Sequence, residues 1–169
     1  MHNVRQMAFA AFVIAGLVLL DAGPSIAQMA KGKTVNDPVL GTWQLDRAMS
    51  TFSGNVPERR TVTYEMMDDG TLKVATLTKM PRGETDRVEY MVKEDGKDYP
   101  ISNSVLSTIM LKRIDSRTVE RIGKVQGRVV ETRRRVVSPD GKMLTVTTTG
   151  TNGGVHYESK QVFERVTDE

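Results

Sequence analysis

From residue 59 to its end, the chain is a succession of short runs in which apolar and polar residues alternate, cut at close and even intervals by turn signals. Asp68-Asp69-Gly70, Pro81-Arg82-Gly83, Asp95-Gly96, Pro139-Asp140-Gly141 and Asn152-Gly153-Gly154 supply the glycines that tight hairpins need for positive φ. No run is long enough, or has the 3.6-residue period, for a helix of ordinary length. Adjacent short strands joined by tight turns must pair antiparallel. The spacing therefore predicts an all-β fold of about ten short strands, either a barrel or a sandwich.

The strands predicted are 39–46, 59–66, 71–79, 85–93, 98–101, 107–114, 117–125, 128–137, 143–151 and 155–166. One helical turn is expected over 46–50, and a hairpin turn over 94–97. Alternation gives the facing of several strands. Val62, Tyr64 and Met66 share one face, as do Val88, Tyr90 and Val92, and Leu144, Val146 and Thr148. In the last strand Tyr157, Ser159, Gln161 and Phe163 oppose His156, Glu158, Lys160 and Glu164.

The strand 128–137 is less regular. Its apolar parity is read as Val130, Thr132, Arg134 and Val136 inward, with Glu131, Arg133 and Arg135 outward. A guanidinium inside a barrel is costly unless an acceptor or anion meets it. Three readings stay open. Arg134 reaches a barrel mouth or an internal carboxylate, or it meets the anionic head of a ligand, or Val129 and Val137 mark the inward face and the register is reversed.

The first residues belong outside the fold. Arg5, an apolar run over 7–20, the breaker Gly23-Pro24 and the small residues Ser25 and Ala27 predict a signal peptide over 1–27, cut before Gln28. The run is shorter than the roughly 20 residues a membrane span requires, so no integral span is expected after processing. Residues 28–37 read as a disordered lead-in, and the barrel domain as 38–169. Export to the periplasm, or secretion, follows.

Composition closes several doors. With no cysteine there is no disulfide, thiol nucleophile or Cys-ligated metal. The two histidines, His2 and His156, give little basis for a metal or haem, and His156 has outward parity. No cofactor is expected. The net charge of +3 is spread along the chain without basic runs interleaved with aromatics, so no nucleic-acid partner is expected. The turn aspartates lack the spacing of a calcium loop.

Leu40-Gly41-Thr42-Trp43-Gln44-Leu45 resembles the Gly-Thr-Trp-x-Leu opening of the calycins, particularly the fatty-acid-binding-protein-like branch. Gln161-Val162-Phe163-Glu164-Arg165 is similar to the closing strand of that branch. The chain also resembles a group of exported bacterial proteins through its opening motif, Asp95 to Pro100 and Asp140 to Thr147, a resemblance that implies no activity. The calycin resemblance implies a single up-and-down antiparallel β-barrel of about ten strands, with a ligand-holding lumen in which two internal arginines and a tyrosine grip a carboxylate. Arg134 falls on the first arginine position, Gln161 on the second and Phe163 on the tyrosine. Two of the three are changed, so Gln161 and Ser159 are expected to hydrogen-bond a polar head instead. About eleven residues link the first two strands, which leaves no room for a two-helix lid.

The functional expectation is non-catalytic binding of a small hydrophobic, amphipathic or fatty-acid-like molecule in the lumen. Its lining would come from Tyr64, Tyr90, Tyr157 and Phe163, with Arg134, Gln161 and Ser159 as polar contacts. A solid-cored barrel acting through its surface is the alternative. An enzyme would require a polar cluster inside the lumen beyond Arg134.

Overall fold

The computed structural model describes residues 37–102 and 104–167, and the expected signal peptide and most of the lead-in lie outside them. Of residues 28–37 only Asp37 is described. It is buried and accepts a hydrogen bond from the Val39 amide.

Ten strands follow in order: β1 (Gly41–Thr51), β2 (Arg59–Met66), β3 (Leu72–Lys79), β4 (Thr85–Val92), β5 (Asp95–Pro100), β6 (Thr108–Arg113), β7 (Thr118–Val125), β8 (Arg128–Val137), β9 (Met143–Asn152) and β10 (Val155–Arg165). They form one antiparallel sheet in the order β4-β3-β2-β1-β10-β9-β8-β7-β6-β5. Every neighbour is sequential except β1 and β10. That pair joins the two ends of the barrel sequence, Trp43 opposite Arg165 and Leu45 opposite Phe163. The barrel is nearly closed; β4 and β5 are not hydrogen-bonded to each other. No helix occurs among the described residues.

The turns explain the connectivity. Gln126-Gly127 and Gly153-Gly154 are two-residue hairpins with both φ values positive, at 49° and 79° and at 56° and 84°. Such turns match the twist of the strands they join. Where an inserted residue bends a strand, the expected elements change. Residues 46–50 do not form a helical turn. β1 continues through them as an irregular bulge, five steps on β1 facing two on β10 between Asp46–Val162 and Thr51–Lys160. Asp46 Oδ1 accepts from the amides of Ala48 and Met49 at 2.8 and 3.1 Å, which supplies locally what a helix would have supplied. Residues 94–97 are not a hairpin turn either. Gly96, at φ 75°, is a bulge inside β5, where three steps face two on β6.

The strand directions put the connections 67–71, 93–94, 114–117 and 138–142 at one end with the N-terminal segment, and 52–58, 80–84, 101–107, 126–127 and 153–154 at the other. The first end is shut. Trp43 is fully buried there and donates Nε1 to the Val39 carbonyl at 2.7 Å. The Arg165 guanidinium stacks on its ring at 4.2 Å and donates to the carbonyls of Gly141, Leu40 and Pro38. Gly41 makes room for it: a Cβ there would sit 3.0 Å from Arg165 Nη1.

Candidate functional site: the barrel lumen

A cavity of about 250 Å³ occupies the lumen. It reaches the end opposite Trp43, because Val105 both lines it and is 90% exposed. Its wall follows from strand alternation. On β2, β3 and β4 the inward residues form cross-strand rows: Arg60–Thr78–Asp86 nearest the mouth, then Val62–Thr76–Val88, then Tyr64–Val74–Tyr90. The rows grow less polar with depth. Seven residues, 52–58, join β1 to β2 at the mouth, and among the described residues no helix lies over it.

The opposite wall corrects the sequence-based facing of β8. Arg134 is exposed on the outer surface, while Glu131 and Arg135 are buried and Arg133 is half-buried. The neighbouring strand decides this. Residues paired across an antiparallel ladder point to the same side. Val137 pairs with Leu144, Arg135 with Val146 and Arg133 with Thr148, all on the inward face of β9. Valines at both 129–130 and 136–137 left β8's own alternation undecided, and a bulge between Gly123 and Lys124 shifts its pairing with β7. Arg134 is no luminal contact.

The interior arginines are met by acceptors. Arg121 and Arg133 both pair with Glu131, Arg133 Nη2 donating to Oε2 at 3.0 Å. Tyr157 donates its hydroxyl to the same carboxylate at 3.2 Å. Two strand glycines make this arrangement possible. A Cβ on Gly150 would lie 2.5 Å from the Tyr157 hydroxyl, and one on Gly123 would lie 2.8 Å from Leu106. Gly150 and Gly123 are the cross-strand neighbours of Glu131 on either side, so the ring and the leucine pass over bare backbone to cover it. Burial alone would raise the Glu131 carboxyl, but Arg133 and Arg121 overcome that and hold it below the usual carboxylate range. Burial and the Glu131 charge push the Tyr157 phenol up, which keeps its proton on the donor side.

Deeper in, Arg135 donates to Glu94 Oε1 at 2.9 Å and lies over the Tyr64 ring at 4.8 Å. Arg113 donates Nε to Glu94 Oε2 at 2.7 Å and also pairs with Asp37. This alternating chain of charges ties the N-terminal segment to the shut end. At the mouth, Arg60 donates Nε to Thr78 Oγ1 at 3.1 Å and Nη1 to Gln161 Oε1 at 2.7 Å.

Of the residues expected to form a site, Tyr64, Tyr90, Gln161 and Phe163 line the cavity together. Ser159 is buried in the Arg133 row through its pairing with Thr148. Tyr157 is turned toward Glu131 and lines an adjoining groove that shares Val105, Leu106 and Glu131 with the cavity. Sequence reasoning missed Arg60, Asp86, Arg121, Glu131, Arg133 and Arg135. The signal for Arg60 was present, since it shares parity with Val62 and Tyr64. For Glu131 the signal was Gly123 and Gly150, glycines inside strands. His156 is exposed. Among the described residues no acidic or histidine cluster could hold a metal ion. The polar cluster that an enzyme would require does exist. It consists of guanidiniums around a carboxylate held ionised and a phenol held protonated, an arrangement suited to gripping an anion.

The architecture is that of the fatty-acid-binding-protein and calycin barrels: ten antiparallel strands, sequentially paired and closed by the first and last. No family model matches the sequence, and no curated protein does. Solved structures do. The fluorescent protein UnaG is 16% identical over 75% of this chain and 96% of its own, with a TM-score of 0.51. A fatty acid binding protein of Schistosoma mansoni, in complex with arachidonic acid, is 19% identical over 77% of this chain and 97% of its own, with a TM-score of 0.50. At such identities the likeness speaks for the fold.

Proposed function

We propose that this protein binds one small apolar or amphipathic molecule in its lumen without transforming it. The observation that carries this reading is a cavity open at one end, with a polar, cationic mouth above an aromatic and aliphatic floor. Sites that hold small molecules combine apolar walls with a few placed polar groups in this way. The volume lies just under the roughly 300–1,000 Å³ usual for such sites, which favours a short-chain ligand. The fatty acid complex of the similar Schistosoma protein supports the reading. We place the protein outside the cytoplasm, periplasmic or secreted, on the apolar segment and small residues that precede Gln28.

Thermal unfolding of delipidated protein tests the reading. A ligand at a hundred times its Kd adds about 2.7 kcal/mol of stability, so a fraction of a lipid extract should raise the midpoint by several degrees. If no lipid, free fatty acid or fatty alcohol shifts the midpoint, the barrel acts through its surface and not through its lumen.

A further inference from the structure

The arginines of the lumen differ in what they still lack. Arg135 and Arg121 have side chains only 10% and 11% exposed, and each is matched by a carboxylate, Glu94 and Glu131 respectively. Arg133 must share Glu131 with Arg121, and its side chain remains 43% exposed. Arg60 forms no ion pair among the described residues; its two hydrogen bonds go to the neutral oxygens of Thr78 and Gln161. Burial and then the Arg133 charge lower its pKa, with Asp86 partly offsetting them, so Arg60 and Arg133 act on each other as like charges. Four arginines line the cavity; Glu94 meets Arg135 and Glu131 meets Arg121, which leaves Arg60 and Arg133 with Asp86 and a share of Glu131 between them.

The pair has a definite height in the barrel. Arg60 is the second residue of β2, which starts at the mouth, and its row lies two rows above Tyr64–Val74–Tyr90. Arg133 sits one row nearer the mouth than Arg135, level with the hydroxyls of Thr148 and Ser159. Below them Arg135 is paired with Glu94 and lies over the Tyr64 ring. A ligand whose charged head went to the floor would have to displace Glu94 from Arg135. One whose head stayed at the mouth would relieve the repulsion between Arg60 and Arg133.

We propose that the ligand is an amphiphile with a single oxyanion head that enters tail first. Its head rests between Arg60 and Arg133 beside the Gln161 amide, and its chain reaches down to Tyr64, Tyr90 and Phe163. This rests on the reading of the lumen as a binding site. Charge-assisted hydrogen bonds from two guanidiniums provide the head affinity, and the aromatic floor takes the tail by burial.

Calorimetry on delipidated protein with decanoate, decyl sulfate and decanol separates the parts of the claim. Decanoate should bind at least tenfold tighter than decanol. Arg60→Gln and Arg133→Gln should each weaken decanoate about tenfold or more and leave decanol unchanged. Arg60→Lys, which keeps the charge, should restore most of the loss and guards against a folding defect in the glutamine variant. Binding of decyl sulfate alongside decanoate supports an oxyanion head in general; decanoate alone supports a carboxylate. In the bound state, nuclear Overhauser contacts should connect the terminal methyl of decanoate to the Tyr64 and Tyr90 rings. Equal affinity for decanol and decanoate, or unchanged decanoate affinity in both glutamine variants, overturns the head assignment while the lumen remains a binding site. Methyl contacts to Arg60 and Thr78 overturn the tail-first orientation. Failure of all three probes to bind removes the lumen reading and this inference with it.

Discussion

The two ends of the barrel use the same residue types to opposite effect. At the shut end the buried and half-buried guanidiniums are matched: Arg165 has three carbonyls and an indole face, and Arg135 and Arg113 share Glu94, with Asp37 closing the chain. At the mouth Arg60 has two neutral acceptors and Arg133 half of a carboxylate. A satisfied buried charge holds a structure together, because removing its partner leaves a charge the interior cannot solvate. An unsatisfied one contributes little to folding and keeps its capacity to bind. Arginine at the shut end is therefore a structural device, and arginine at the mouth is, on the proposed reading of the lumen, a recognition device.

The sharpest way to break this comparison is to remove the carboxylate at the shut end. Glu94→Ala leaves Arg113 and Arg135 facing each other across a vacancy, and it should cost about 3–5 kcal/mol in urea unfolding. A loss under about 1 kcal/mol would mean that the shut end is not held by its charges. Next comes Glu131, which lies between the two regimes with Arg121 buried on one side and Arg133 open on the other. Glu131→Gln should destabilise by about 1–3 kcal/mol at neutral pH. The pH dependence has a definite sign. The folded-state pKa of Glu131 is depressed, so its contribution is present above the ordinary carboxylate pKa and is lost as pH falls through the lower folded value. The gap between wild type and Glu131→Gln should be widest near pH 7 and narrow steadily in acid. A gap constant down to the acid transition would show that Glu131 is not the charge that balances Arg121.

Much of the barrel was legible because each strand that faces solvent on one side writes its facing into its own alternation. β2, β4, β9 and β10 do so, and their inward sets, from Val62 to Phe163, lie as the alternation predicts. The candidate site was less legible, for a reason that β8 makes plain. A strand whose inward face is Glu131, Arg133 and Arg135 has lost the contrast that alternation depends on, since charged residues stand on both faces. Only its pairing with Leu144, Val146 and Thr148 restores the answer, and that is information about a neighbour. The same holds for the local misreadings. Asp46 and Gly96 carry true signals for a hydrogen-bonded bend and for positive φ, but bulges inside strands use the same residues as turns do. The parts of the chain that put charge into the lumen are those where the local rules for building a barrel are suspended.

The smallest effects are the most discriminating, because they separate a luminal arginine from its neighbour on the outside. Arg60→Met replaces a half-satisfied, partly buried guanidinium with an apolar side chain of similar length. Relief of its repulsion with Arg133 should leave stability unchanged or raise it by up to about 1 kcal/mol. Arg134→Met makes the same chemical change on the outer face of β8, opposite Glu120 on β7 and Thr147 on β9, where the guanidinium is exposed. There is no desolvation to recover, and among the described residues Arg134 has no ion pair to lose. The change should therefore stay within about 0.5 kcal/mol in either direction. A gain of 1 kcal/mol or more in Arg134→Met, with none in Arg60→Met, would mean that β8 faces the other way. Arg134 would then be the luminal cation, and the division between a saturated floor and an unsaturated mouth would have to be redrawn around it.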